Sequence, residues 1–168
     1  GLKVNESAVK KYAVEHNIPV LQPISLKDPE FLEALKAWKA DLFVVVAFRM
    51  LPKVVWEIPK MGTFNLHAAL LPQYRGAAPI NWAVINGEKT TGVTTFMIDE
   101  GMDTGDMILT RELEINDAWC AEEYHDALAV ISKDALKEFL SFAESGNIPR
   151  AKQNNDEATY AAKIGNDD

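Results

Sequence analysis

Apolar residues recur along this chain at two spacings. A continuous run from Phe43 to Phe48, rich in β-branched residues, reads as a strand covered on both faces, the habit of parallel sheets. Before it, Phe31, Leu32, Leu35 and Trp38 follow helical spacing, and Ser25 or Asp28 can cap that helix. Ala8, Val9, Tyr12 and Ala13 predict an earlier helix, from Asn5 or Ser7 to about Glu15, and Ile18 to Leu21 reads as a short strand. Beyond the central run, Leu51-Pro52 opens a helical turn through Trp56. Thr63 to Ala68 reads as a strand, and Pro79 starts a helix through Ile85 that Asn86-Gly87 stops. Thr91 to Asp99 and Met107 to Ile115 alternate as strands on either side of a tight loop, Gly101 to Asp106. Asp117 caps a long helix to about Glu144, with Trp119, Leu128, Ile131, Leu136 and Phe139 on its apolar face and Gly146 at its end. The stretch after Pro149 reads as irregular. Early alternation of helix and strand, with two late strands joined by a short loop, predicts an α/β fold. Its sheet is expected to be mostly parallel, with an antiparallel pair near one edge and helices on both faces.

Composition narrows the class. The chain has 168 residues, 48% of them apolar and 25% charged, which excludes collagen and a disordered tail. The single cysteine, Cys120, excludes an internal disulfide and suits a reducing cytosol. Seventeen basic against twenty-five acidic side chains leave a net charge of −8, which argues against broad nucleic-acid binding by this chain. Contact with RNA then needs a local basic patch or another domain. No apolar run approaches the roughly 18 residues of a spanning helix. The chain opens at Gly1 without Met or signal peptide and closes on Gly165 to Asp168 after a polar stretch, so it reads as a piece of a longer protein.

Candidate chemistry concentrates between Asn65 and Asp106. Asn65 and His67 lie two apart at the end of an expected strand, so period two puts both on one face, where open α/β sheets place ligands. An amide beside an imidazole is a donor pair for a developing oxyanion; the alternative is two polar residues satisfied by backbone groups. Asp103, in a tight loop, can orient His67 or take a proton from an attacking amine; alternatively Asp103 and Asp106 only form Asx turns. The acidic cluster Asp99, Glu100, Asp103 and Asp106 lacks calcium-loop spacing and a second His, so no metal is expected. Arg75 reads either as a contact for phosphate or carboxylate or as a surface residue. Cys120 has no activating neighbour, and no phosphate-cradling glycine pattern is present.

These residues carry a resemblance. Phe64 to Pro72, then Tyr74-Arg75-Gly76 and Asp103-Thr104-Gly105, resemble the formyltransferases that use 10-formyltetrahydrofolate. Arg75 to Ile80, Thr91 to Thr94, Asp103 to Ile108 and Ala158 to Ala161 are most similar to the branch of that family acting on methionyl-tRNA. The resemblance implies a Rossmann-like formyltransferase fold whose first strands are absent from this chain. It implies a catalytic domain over 1–150 and, over 151–168, a linker toward an absent C-terminal barrel. It also implies transfer of the formyl group of 10-formyltetrahydrofolate to the amino group of methionyl-initiator-tRNA, in a cytoplasmic monomer without metal or membrane contact. The catalytic triad then falls on Asn65, His67 and Asp103, the folate-contacting stretch on Ala69, Leu70, Leu71 and Pro72, and a further acceptor contact on Arg75. Two positions depart from the family pattern: Ala69 stands where Ser is usual, and Arg49 where many relatives have a small residue. Formyltransferases acting on sugar nucleotides or on glycinamide ribonucleotide are the rival reading, and a folate-binding or hydrolytic relative is another.

Overall fold

The computed structural model describes residues 6–47, 50–116 and 118–165, which divide between one unit within 1–39 and another within 40–168. In the first unit, α1 (Ala8–Glu15) is capped by Ser7, whose Oγ accepts the Lys10 N–H at 3.2 Å. Asn5, the other expected cap, lies outside the described residues. The expected apolar stripe is uncovered, with Val9 and Tyr12 exposed. Helix α2 (Pro29–Ala37) starts at Asp28, whose carboxylate accepts the Glu30 N–H at 2.9 Å. Pro29 occupies the first helical position, where a missing N–H costs nothing. Residues 18–21 form no strand: Pro19 has no N–H for a ladder, and Ile18 and Val20 are exposed.

The second unit holds the sheet. Its elements are β1 (Phe43–Val46), α3 (Lys53–Trp56), β2 (Thr63–His67), β3 (Arg75–Gly76), α4 (Pro79–Ile85), β4 (Thr90–Met97), β5 (Met107–Glu114), α5 (Ala121–Ser145) and β6 (Tyr160–Ala161). The main sheet runs β1-β2-β4-β5. Strands β1 and β2 are parallel, with Val45 beside Asn65. Strand β4 is antiparallel to both β2 and β5, with Thr94 opposite His67. The expected α/β class holds, and the antiparallel part is two pairings rather than one. The loop between β4 and β5 is shorter than the crossover of about a dozen residues that a parallel partner requires. The expectation that the Phe43 run is covered on both faces is corrected: Val44 and Val46 are exposed while Phe43 and Val45 are half-buried. Phe48, its expected last residue, lies outside the described residues.

Helix α5 packs across the sheet. Tyr124, Leu128, Ala135 and Phe139 recur at helical spacing and are fully buried. Tyr124 and Leu128 meet Val93 of β4 and Ala83 of α4, while Phe139 meets Phe64 of β2, their ring centroids 3.6 Å apart. Strand β2 therefore turns Phe64 toward α5, and alternation turns Asn65 and His67 away from it. The helix begins after Cys120, whose N–H donates to Glu123 Oε2 at 2.8 Å; Asp117, the expected cap, lies outside the described residues. Gly146 ends the helix in left-handed geometry, as expected.

Over 151–161, where the sequence reads as irregular, two short pairings form. Ala151 exchanges two 2.8 Å backbone bonds with Met107, and β6 pairs in parallel with β3. Gly76 makes that pairing possible. Its φ is +118°, and a Cβ there would lie 2.6 Å from the Ala161 carbonyl oxygen. Among the described residues, no helix is long and apolar enough to cross a membrane.

Candidate active site

Strand β2 delivers Asn65 and His67 to one face, and the β4–β5 loop brings Asp103 beside His67. His67 is 6% exposed and lies in the sheet opposite Thr94. Its Nε2 is 2.8 Å from the carbonyl oxygen of Tyr74. A carbonyl only accepts, so Nε2 carries a proton and donates it there. That leaves Nδ1, which lies 3.8 Å from Asp103 Oδ2. The gap exceeds a direct hydrogen bond and suits a bridging water or a substrate amine. Phe96 presents its ring edge-on to the imidazole, with centroids 6.4 Å apart. Asn65 Oδ1 is buried and has no hydrogen-bond partner.

Asp103 does not use its side chain for an Asx turn. Asp99 does: its Oδ1 accepts the Gly101 N–H at 3.0 Å and the Thr104 hydroxyl at 2.6 Å. The Asp103 carboxylate reaches across instead and accepts the Gly76 N–H at 2.8 Å. Its backbone is left-handed, with φ +55°, a conformation a non-glycine residue holds only when its surroundings impose it. Gly105 lets this loop fold onto β4, since a Cβ there would run into the Met97 carbonyl.

The stretch Ala69 to Pro72 follows β2 directly. Ala69 and Leu71 are buried, and Leu71-Pro72 is a cis peptide. The Thr94 hydroxyl holds the stretch by donating to the Ala69 carbonyl at 2.7 Å and accepting the Leu71 N–H at 3.0 Å. Leu70 faces another environment, a cavity of about 310 Å³ that it lines with Tyr74, Glu88, Thr90, Thr91 and Thr159 among others. There the Tyr74 hydroxyl donates to Glu88 and accepts from Asn86 Nδ2 at 3.0 Å, and burial pushes the phenol above its ordinary range. Asn65, His67 and Asp103 do not line that cavity.

Arg75 is not a surface residue. It is 2% exposed, and its guanidinium donates to Gln153 Oε1 from Nε at 3.1 Å and from Nη2 at 2.7 Å, and to Asn155 Oδ1 at 2.9 Å. Three contributors to the site escape a reading of the sequence. The Tyr74 carbonyl is a backbone atom with no signature. Thr94 signals itself only as a hydroxyl inside an otherwise buried strand. Gln153 lies in an irregular stretch. Arg49, which departs from the family pattern, lies outside the described residues. Among the described residues, no three His, Cys, Asp or Glu side chains group as metal ligands.

The chain is similar to known proteins in sequence and in fold. The family model described as "Formyl transferase" matches residues 2–140. A methionyl-tRNA formyltransferase of Flavobacterium psychrophilum is 58% identical over 148 residues, covering 88% of this chain and 47% of that protein. The chain spans about half the length of the curated relatives it matches. A phosphoribosylglycinamide formyltransferase from Bacillus halodurans superposes with a TM-score of 0.69 at 26% identity, over 76% of this chain and 70% of that one. A sugar 3N-formyl transferase, solved in the presence of dTDP and 5-N-formyl-THF, shares the fold with a TM-score of 0.74 at 22% identity, over 92% of this chain and 53% of its own.

Proposed function

The chain belongs to the formyl transferase family, and from that premise we propose that it carries the catalytic site of an enzyme moving the formyl group of 10-formyltetrahydrofolate to the amino group of methionyl-initiator-tRNA. The observation that carries the reading is the approach of His67 Nδ1 to the Asp103 carboxylate, 3.8 Å apart, with Asn65 on the same face of β2. The 58% identity to a methionyl-tRNA formyltransferase supports this acceptor over a sugar nucleotide or glycinamide ribonucleotide.

The chemistry follows from the placement. The aminoacyl amine attacks the formyl carbon, a C–N bond forms, and the carbonyl electron pair moves onto oxygen. Asn65 donates an amide N–H to that oxyanion. A preorganised donor of this kind is typically worth about 3–4 kcal/mol in the transition state. His67 acts through Nδ1, because Nε2–H is held by Tyr74. Asp103 orients the imidazole and takes the proton the amine sheds, directly or through water. Asp103 relays that proton to His67 Nδ1, and collapse returns the pair to the carbonyl and breaks the bond to the folate nitrogen, which leaves with the proton from Nδ1. The expected folate contact runs along Ala69 to Pro72. Ala69 is buried, and its carbonyl accepts the Thr94 hydroxyl. The net charge of −8 gives this chain no broad attraction for RNA, so the body of the tRNA is held by other parts of the protein or by local contacts.

The test uses the full-length protein with 10-formyltetrahydrofolate and charged initiator methionyl-tRNA. Formyl-methionyl-tRNA that disappears in His67→Ala is the expected result. Formylation of a sugar nucleotide or of glycinamide ribonucleotide, with no tRNA product, reassigns the acceptor, and donor cleavage without any acceptor makes the protein a hydrolase.

A further inference from the structure

We infer that Gln153 is a positioning residue for the reacting pair His67 and Asp103, an inference that rests on the formyl-transfer reading above. Gln153 lies beyond residue 140, where the family match ends, in the stretch that reads as a linker in sequence. Its carboxamide is used on both sides. Nε2 donates to the carbonyl oxygens of Asp103 and Gly105, each at 2.8 Å. Oε1 accepts from Arg75 Nε and Nη2.

Those four bonds join two loops. One carries Asp103. The other contains Tyr74, which holds His67 Nε2, and Gly76, whose N–H holds the Asp103 carboxylate. Gln153 is a side chain outside both loops that bonds to both. Its anchoring is firm on either side: Ala151 is laddered to Met107, and Thr159 accepts the Tyr74 N–H on its hydroxyl and the Arg75 N–H on its carbonyl. The bond to the Asp103 carbonyl falls on the residue with left-handed φ, so it fixes the backbone from which the carboxylate is aimed at His67 Nδ1.

The amide is required by this pattern. Two carbonyls demand donors and a guanidinium demands an acceptor, and glutamine supplies both from one planar group. Glutamate would keep Arg75 but turn a carboxylate oxygen against two carbonyls. Leucine would keep the volume and make none of the four bonds. A small displacement of Asp103 then costs turnover rather than donor binding, because the Thr94 hydroxyl, and not Gln153, holds Ala69 to Leu71.

The test measures steady-state formyl transfer by the full-length protein and its Gln153→Leu and Gln153→Glu variants, below their unfolding temperatures. Both are expected to lose kcat by about tenfold to a hundredfold while KM for the folate donor stays within about twofold. Unchanged kcat in either folded variant, or a rise in KM at constant kcat, overturns the inference. If neither folds, Gln153→Asn, which keeps the amide but one methylene short, is read by the same criterion. If wild type forms no formyl-tRNA, the proposed acceptor fails separately. Gln153 is then judged from the His67 ring resonances of the nitrogen-15-labelled protein, without turnover. A shift in Gln153→Leu upholds the positioning role, and unmoved resonances overturn it.

Discussion

A histidine whose Nε2–H is committed to a backbone carbonyl has one nitrogen left for chemistry. In His67 that nitrogen is Nδ1, and Asp103 is the charge it faces. Thr94 does for the neighbouring stretch what Tyr74 does for His67: one hydroxyl serves the carbonyl of Ala69 and the N–H of Leu71. Thr94 has no exposed surface, so water cannot take its place. Thr94→Val keeps the shape and strands both backbone groups. It is expected to destabilise the protein by about 1–3 kcal/mol in denaturant unfolding and to raise KM for the folate donor, whereas Thr94→Ser stays close to wild type in both. Asn65 and His67 were legible in sequence because a strand's period of two places them together. The role of Thr94 was not, because it depends on which strand lies beside β2, and that pairing is set by the sheet rather than by local sequence.

At the scale of elements, α5 and the sheet explain one another. Phe64 and Leu66 of β2 turn toward the helix and belong to its two clusters, leaving Asn65 and His67 to the other face. A register slip of one residue would turn the polar pair toward the helix and the aromatic away from it. Tyr124 adds a pH term to this packing. Burial holds its phenol above the ordinary 10.0, partly offset by its hydrogen bond to Thr91. The unfolded chain therefore ionises first. The contribution is whole below about pH 10 and falls away as pH rises from there toward the folded value. Tyr124→Phe removes this term at the cost of one hydrogen bond, about 1 kcal/mol. Its urea midpoint is expected to lie below that of wild type near neutrality and to fall less between about pH 8 and 11. Helix and strand positions were largely legible, since α5 carries strong periodicity and α4 and the β4–β5 hairpin have clear starts and stops. The exceptions have physical reasons. Ile18 to Leu21 is apolar but contains Pro19, and β3 and β6 are each two residues long, too short for any pattern to register.

At the scale of the whole molecule, residues 40–168 build the site from three separated stretches: β2 with the turn after it, the β4–β5 loop, and the returning segment 151–161. The first two announce themselves by residue type. The third does not, because Gln153 and Thr159 act on partners far away in sequence and sit among polar residues that look solvated. Gln153 of that segment holds Arg75 and the Asp103 backbone in place. The central claim is that Asp103, so held, works on His67 and the attacking amine rather than shaping its own loop. The most direct measurement compares Asp103→Asn with wild type in the full-length protein, in single-turnover formyl transfer and in folate-donor affinity. Asparagine can still accept the Gly76 N–H, so the loop survives while the carboxylate is lost. The account predicts a transfer rate lower by about a hundredfold or more, with donor affinity within about twofold of wild type. A variant that transfers formyl at the wild-type rate would contradict it.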